Sequence, residues 1–361
     1  MNFNTPESVR RFVTLTRTDP DFKAYLLGQG PEGLRALPVE SFAINSPRER
    51  VTFALVEPGG LKQPSRLRRY VLAFRLELLP LMLTPLFVAW AAIATLGGEL
   101  PSLKLLLMLT AIVALHVATF ARNDYEDHFY GIDRIQRGRG SQVIQRGWLS
   151  ALEVRNLSRF ALLISVMAGL PLLWPLSVDV AVLVGLGLAA VLGFGFAGRE
   201  FKYQGVGDLV VGLCMGPLLT LGVGKIFAVE EALWLACVGL PLGLTAVIIF
   251  QLRQLETIMA ERQSRSGTLV ARLGFDRAKL WLRRELWLLP VMTAVALWAW
   301  VPSKILIALI VVVALGQWPL QRRLKKVASP LSSGLLGLAK SALWFYLALA
   351  GVLVLAIAST G

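Results

Sequence analysis

Uncharged stretches, longer than the core of a soluble domain can use, dominate this chain. From Leu78 to Gly98 there is not one charged side chain. A helix rising about 1.5 Å per residue crosses a hydrocarbon layer of roughly 30 Å with about 20 such residues. Comparable runs recur near 103–121, 159–178, 180–198, 209–224, 232–250, 285–303, 305–320 and 341–358. The pattern predicts an all-α membrane protein with about nine transmembrane helices. Continuous Leu, Ala, Val and Gly runs, with no alternation, argue against a β-barrel. Pro80, Pro85, Pro171 and Pro217 interrupt several runs, which membrane helices tolerate when neighbours satisfy the freed backbone groups. Only 17% of residues are charged, against about a quarter in an average soluble chain.

Basic residues are unevenly distributed. One set of connections holds Arg122, Arg134, Arg137, Arg139, Arg146 and Arg155, then Arg199 and Lys202, then Arg253 to Arg284, then Arg322 to Lys326. The alternate connections, such as Gly97 to Pro101 and Val301 to Lys304, are short and poor in base. Retention of basic loops on the inner side puts the N-terminus in the cytoplasm and the C-terminus outside. The expected location is the bacterial inner membrane. Topology and anionic lipid account for the net charge of +14, so no nucleic-acid partner is needed. Cys214 and Cys237 both fall within predicted spans and read as apolar packing residues.

The sequence divides into a polar cytoplasmic extension, residues 1–61, and a transmembrane domain, residues 62–361. The extension lacks the charged-then-apolar start of a signal peptide and is a candidate surface for a protein partner. Lys62 to Arg75 mixes bases with Leu, Tyr, Val and Phe and reads as an interfacial segment on the bilayer surface.

Acids cluster after the second span, in Arg122-Asn123-Asp124-Tyr125-Glu126-Asp127-His128-Phe129-Tyr130-Gly131-Ile132-Asp133. If the helix continues, Asn123 and Asp127 lie four apart and Asp124 and Asp127 three apart, on one face. Gly131 lets the chain turn and return Asp133 toward them. Carboxylates gathered this way repel unless a cation lies between them. Hard oxygen ligands suit Mg2+, which retains waters and accepts phosphate oxygens. Arg134, Arg137 and Arg139 follow as further phosphate contacts. The competing reading is a solvated helix end with ordinary charges. His116, inside the second span, is assigned to packing or hydrogen bonding.

Asn123-Asp124-x-x-Asp127-x-x-x-Gly131-x-Asp133 resembles the first aspartate-rich motif of the UbiA superfamily of intramembrane prenyltransferases. Gly131 before the last Asp is most similar to the menaquinone branch, the 1,4-dihydroxy-2-naphthoate prenyltransferases. Phe201-Lys202-Tyr203-Gln204-Gly205-Val206-Gly207-Asp208 and Thr268-Leu269-Val270-Ala271-Arg272-Leu273-Gly274 resemble later segments of that branch in order, over roughly 66–360. Arg75 and Pro80 resemble its approach to the first span. The resemblance implies a UbiA-like helical bundle and Mg2+-dependent transfer of a polyprenyl group from its diphosphate to an aromatic acceptor. It implies catalytic roles for Asp124, Asp127, Lys202 and Tyr203, the last two at diphosphate oxygen and at the acceptor ring. For both Lys202 and Tyr203 an interfacial anchor is the alternative. Substrate contacts fall on Asn123, Arg134, Arg137, Arg139, Arg253, Gln254 and Arg262. Metal ligands fall on Asp124, Asp127, Asp133 and Glu261.

The second acidic motif departs from the family. In Gln251-Leu252-Arg253-Gln254-Leu255-Glu256-Thr257-Ile258, Arg253 is kept. Gln254 and Ile258 stand where acids are expected, and Glu261 returns to the face of Gln254 seven residues on. An amide oxygen ligates a cation without adding charge. Two functions follow: a working prenyltransferase, or an impaired relative that binds an isoprenoid or quinone and assembles with a partner. A secondary transporter ranks below both, because its charges belong at mid-membrane and these collect at one face.

Overall fold

The computed structural model describes residues 9–135, 140–174, 177–195, 201–229 and 232–359. Arg137 and Arg139 lie outside the described residues. The chain forms two compact units. One combines the chain up to Glu77 with Ala114–Ile164 and Met259–Ser266; the other combines Leu78–Val113, Ser165–Ile258 and Gly267–Gly361.

The first unit opens with a sheet. Strands β1 (Val9–Thr16), β2 (Arg35–Phe42) and β3 (Arg50–Val56) pair antiparallel in the order β1-β3-β2. β3 is central because it is the apolar strand: Val51, Phe53, Leu55 and Val56 are completely buried. Helix α1 (Phe22–Leu26) covers it, with Phe22 and Tyr25 edge-on to Phe53 at centroid distances of 6.5 and 5.4 Å. Pro38 donates no backbone hydrogen bond and sits on edge strand β2, where the register shifts before Glu40.

Helix α2 (Arg66–Ala73) starts at Ser65, whose hydroxyl accepts from the Arg68 amide. The next helices are α3 (Pro80–Thr95), α4 (Ser102–Phe129), the short α5 (Ile132–Ile135), α6 (Ala151–Gly169) and α7 (Val178–Gly195). Helices α8 (Gly207–Cys214), α9 (Pro217–Ile226), α10 (Ala232–Gln263) and α11 (Leu269–Leu273) come next. Last are α12 (Phe275–Leu297), α13 (Ser303–Gly316), α14 (Trp318–Lys326) and α15 (Leu338–Ala358). Helix α4 runs without a break through the acidic segment, so its spacing is helical.

In the second unit, α3 packs on α9 and α15, and α12 on α13. Buried Tyr346 of α15 donates to the Leu81 carbonyl of α3 at 3.2 Å. Glycines bring α8 and α9 onto α10. A Cβ on Gly243 would collide with the Gly212 carbonyl oxygen, and one on Gly216 would lie 2.7 Å from Gly243 Cα. Close backbone approach through small residues is how membrane helices associate when burial of apolar surface offers no gain over lipid.

Among the described residues, six helical segments are long and apolar enough to cross a bilayer: 102–129, 151–173, 207–226, 232–263, 303–326 and 333–358. A seventh forms if the bent pair Arg66–Leu78 and Pro80–Thr95, angled at 56°, counts as one. The other two expected runs fall on α7 and α12. In α7 the shorter stretch Val178–Gly187 is apolar. Helix α12 begins ten residues before the expected run, at Phe275, so its opening turns carry Asp276, Arg277, Lys279, Arg283, Arg284 and Glu285.

The glycine contacts lead to a substitution pair. Gly243→Ala is expected to lower the midpoint of thermal unfolding in detergent, with overpacking costing about 1–3 kcal/mol. Gly222→Ala on α9, where an added Cβ meets nothing within 4 Å, leaves it unchanged. Equal midpoints for the two variants would contradict the close-packing account.

Candidate functional site

The acidic segment is built by the last turns of α4. Asp124 is buried, and Arg75 Nη1 donates to its Oδ1 at 3.0 Å. The Ser141 hydroxyl and backbone also hydrogen-bond this carboxylate. Its Oδ2 is buried without a hydrogen-bond partner. Asp133 returns to it: a Cβ built on Gly140 would meet Asp124 Oδ1 at 3.5 Å and Asp133 Oδ2 at 3.6 Å. The turn that allows this passes through Gly131 at φ +81°, a left-handed conformation glycine adopts freely. Asn123 Nδ2 donates to Asp127 Oδ2 at 2.9 Å, so these two share a face one helical turn apart. Glu126 is paired with Arg122.

Arg75 is the cation among these acids, acted on by the charges of Asp124, Glu77, Asp133 and Asp127. Its backbone is left-handed at φ +52°, uncommon for a residue with a side chain. Buried His116 holds it there: Nε2 donates to the carbonyls of Phe74 at 3.0 Å and Arg75 at 3.3 Å. The expected hydrogen-bonding role of His116 thus has its partners.

The donor chemistry fits Mg2+. Asp124 and Asp133 converge with an unpartnered oxygen, and Mg2+ usually takes one or two carboxylates and fills its remaining positions with water and phosphate oxygen. No group of three or more His, Cys, Asp and Glu side chains is arranged to hold a metal among the described residues. The set expected from sequence, Asp124, Asp127, Asp133 and Glu261, is therefore not assembled as one cluster. Glu261 is buried near the end of α10, where its carbonyl accepts from the Ser264 hydroxyl and the Ser266 amide.

Arg134 is a correction. Expected to contact phosphate, it is buried and fully engaged. Nε donates to the His128 carbonyl at 2.9 Å, Nη1 to Ser41 Oγ at 3.2 Å, and Nη2 to Glu49 Oε1 at 2.9 Å and the Phe129 carbonyl at 3.0 Å. Burial lowers its pKa from the usual guanidinium value, against the opposing pull of Glu49. Arg262 is exposed at the end of α10.

In the second unit, the degenerate motif faces acids that the motif does not contain. Gln254 Nε2 donates to Asp208 Oδ1 at 3.1 Å, and Gln251 Nε2 to Glu285 Oε1 at 3.1 Å. Trp281 also donates to Glu285, at 2.6 Å. Arg253 is half-buried, one residue before Gln254. Tyr203 is buried in the short 3-10 turn Phe201–Gln204, which includes Lys202, whose side chain lies outside the described residues. A Cβ on Gly267 would collide with the Tyr203 carbonyl oxygen, and one on Gly205 would sit 3.3 Å from the Arg272 guanidinium. The two resemblance segments, 201–208 and 268–274, therefore meet directly.

Sequence reasoning passed over Arg75, Asp208 and Glu285 as site residues. Their signal was positional: each is a charge at the border of an apolar run, where ionisable groups are costly and concentrate at functional sites.

The model of the UbiA prenyltransferase family matches residues 83–331. The 1,4-dihydroxy-2-naphthoate octaprenyltransferase of Escherichia coli K12 is 26% identical over 224 residues, 60% of this chain and 72% of that one. Its Haemophilus influenzae counterpart is 26% identical over 227 residues, 57% of this chain and 70% of that one. Among solved structures, a UbiA homolog from Archaeoglobus fulgidus bound to GPP and Mg2+ superposes with a TM-score of 0.56 at 12% identity, covering 79% of this chain and 99% of that one. The apo UbiA homolog from Aeropyrum pernix K1 gives 0.56 at 17%, covering 81% and 98%. At these identities the structural likeness speaks for the fold alone.

The Arg75–Asp124 pair is testable by itself. Arg75→Gln leaves a buried carboxylate without its cation, a loss of about 3–5 kcal/mol for a broken buried pair. The expected result is a lower unfolding midpoint that millimolar Mg2+ partly restores, with Arg75→Gln/Asp124→Asn closer to the native protein. A single variant as stable as the native chain, with and without Mg2+, would refute the pairing.

Proposed function

The chain belongs to the UbiA prenyltransferase family, and from that premise we propose that it transfers a polyprenyl group from its diphosphate to an aromatic acceptor of the dihydroxynaphthoate type. The observation that carries this reading is the convergence of Asp124 and Asp133 at Gly140, with a buried unpartnered carboxylate oxygen, at the end of a long apolar helix. The acceptor class follows from the two octaprenyltransferase relatives. The Mg2+ requirement follows from the donor chemistry and from the Mg2+ in the Archaeoglobus fulgidus homologs bound to GPP and DMAPP.

In this mechanism Asp124 and Asp133 would hold the metal, and Asp127, bound by Asn123 one helical turn away, would be a further candidate ligand. When bound, Mg2+ neutralises the diphosphate as charge develops on it. The allylic C–O bond breaks with its electron pair going to diphosphate, and the ring carbon of the acceptor attacks the resulting allylic centre. The ring proton then leaves to solvent. Arg75 orients Asp124 through its charged hydrogen bond; Lys202 and Arg253 are the candidate contacts for diphosphate oxygen, and Tyr203 the candidate for orienting the acceptor. Arg262, Arg137 and Arg139 are the further basic residues that this reading assigns to the diphosphate. Asp208 and Glu285 bring to the second motif the carboxyl oxygens that Gln254 lacks. We further place nine spans across a bacterial inner membrane, with the N-terminus and site on the cytoplasmic side, because the basic connections alternate with uncharged ones.

Two measurements decide the proposal. Purified protein with a polyprenyl diphosphate and 1,4-dihydroxy-2-naphthoate should release diphosphate in a Mg2+-dependent way, and Asp127→Asn should lower the rate roughly a hundredfold or more, about 1.4 kcal/mol per decade. Gln254→Asp, placing a second carboxylate beside Asp208, should raise the rate when Mg2+ is saturating. A native protein inactive with every aromatic acceptor, yet binding isoprenoid, would favour the non-catalytic relative. For topology, a reporter after Arg139 should read cytoplasmic and one after Glu230 external; an external signal after Arg139 would overturn the sidedness.

A further inference from the structure

Among the described residues, the acid-bearing turn between α4 and α5 is held by the loop that joins β2 to β3, part of the chain that precedes the matched family region. Three side chains of this loop make the hold. Ile44 is buried, and its methyls press on Gly131 so closely that a Cβ there would meet Ile44 Cγ2 at 2.6 Å. Asn45 donates both hydrogens of its amide, one to the Tyr130 carbonyl at 3.0 Å and one to the Ser264 carbonyl at 2.6 Å. Glu49 is buried, pairs with Arg134 at 2.9 Å, and accepts from the Asn45 backbone amide at 3.1 Å. Arg134 in turn grips the carbonyls of His128 and Phe129. A second strut comes from α1, where the Leu26 carbonyl accepts from His128 Nε2 at 2.9 Å.

The loop is strained. Ala43 and Asn45, on either side of Ile44, have left-handed backbones at φ +49° and +57°. Such conformations in residues with side chains cost on the order of 1–3 kcal/mol each and persist where surrounding contacts over-determine them. Here those contacts join two segments far apart in sequence: the turn that returns Asp133 toward Asp124, and the end of α10 that follows Glu261 and Arg262.

We propose that Ile44, Asn45 and Glu49 are positioning residues: the β2–β3 loop clamps the Tyr130–Asp133 turn to the end of α10, so that the metal-binding carboxylates depend on the N-terminal sheet. The catalytic side of this inference rests on the transfer reading above. The clamp itself does not.

The sharpest variant is Asn45→Asp, which keeps the shape and removes both donors. It is tested in the full-length protein by hydrogen exchange at residues 128–135 and 259–266, and by the Mg2+ dependence of inorganic diphosphate binding and of prenyl transfer. The clamp predicts faster exchange in both segments together. It also predicts a Mg2+ half-saturation raised roughly tenfold, within the hundredfold effects that displacements of about 1 Å produce, with the maximal rate falling less. Ile44→Val, which trims one methyl from the Gly131 contact, should move the same readouts in the same direction by less, and it stands in if Asn45→Asp fails to fold. Asn45→Ser retains one donor and should recover part of the loss. Unchanged exchange in either segment would overturn the clamp. Faster exchange with unaltered Mg2+ dependence per folded molecule would reduce the loop to scaffolding and overturn the positioning role. A native protein that binds diphosphate but transfers no prenyl group would defeat the transfer reading while leaving the clamp to be judged by exchange and binding.

Discussion

Asp124 is a carboxylate taken out of water at the end of a long apolar helix, and its pairing with Arg75 is the constraint on which the acidic site depends. A buried charge without a partner is strongly destabilising, so Arg75 cannot be placed for convenience of the backbone. It occupies a left-handed conformation at the break between α2 and α3, and His116, one turn before Phe120 on the same helix as Asp124, binds two successive carbonyls within that break, those of Phe74 and Arg75. The guanidinium also lies over the Phe120 ring, 5.4 Å from its centroid, a favourable place for a cation. One helix, α4, thus supplies the anion, the ring and the imidazole that together fix one arginine. The result is a carboxylate with one oxygen satisfied and the other left for a ligand.

The membrane class and the first acidic motif were legible because both depend on local patterns. Apolar runs announce helices by length, and Asn123 to Asp127 needed only continuation of α4 to share a face. The N-terminal sheet was not legible for the opposite reason. Its strands carry Arg10, Arg11, Arg35 and Pro38, its central strand is buried on both faces and does not alternate, and its stability comes from pairing across 40 residues of chain. Arg134 was misjudged for a related reason. Composition shows an arginine beside acids, whereas its partners are Ser41 and Glu49, roughly ninety residues earlier. The nine runs were visible, yet among the described residues six helical segments are long and apolar enough alone. A span that opens with charged turns, as α12 does, or bends after Arg75, as α3 does, departs from the simple length rule.

The second motif illustrates how a linear pattern can miss carboxyl groups that the fold brings from other helices. Gln254 stands where the resemblance expects an acid, yet it and Gln251 each donate to a carboxylate brought from another helix: Asp208 at the start of α8 and Glu285 in α12. Gln251 also hydrogen-bonds Asp208, so the four side chains form one connected group. Four of its oxygens, Asp208 Oδ2, Gln251 Oε1, Gln254 Oε1 and Glu285 Oε2, are buried without a partner. Native interiors leave few such atoms, and those that remain are commonly satisfied by an unseen ion or water, or have a catalytic role. Reading the motif by position alone counts a deficit of charge; reading it by contact counts two carboxylates.

The same contrast bears on the boundary between extension and membrane domain. The family match begins at residue 83, and a division by composition near residue 61 leaves the preceding sheet as an appendage. By packing, the chain up to Glu77 shares one compact unit with the end of α4, most of α6 and the end of α10. Arg35 of β2 donates to the Gly147 carbonyl and to Glu153 Oε2, and Leu37 closes on Gly147, where a Cβ would come within 2.9 Å of its methyls. Gly28, just after α1, lies against Ser150, the residue that caps α6 through its hydroxyl on the Glu153 amide. These contacts join residues of the extension to the connection before α6 and to the first turn of that helix. Polar loops at a membrane surface have little apolar area with which to order themselves, and loops of that kind are ordinarily mobile. A sheet with its own apolar core, centred on Phe53, brings ordered backbone and buried charge to segments that lack both. The acidic turn is thus contacted by side chains that precede the matched family region.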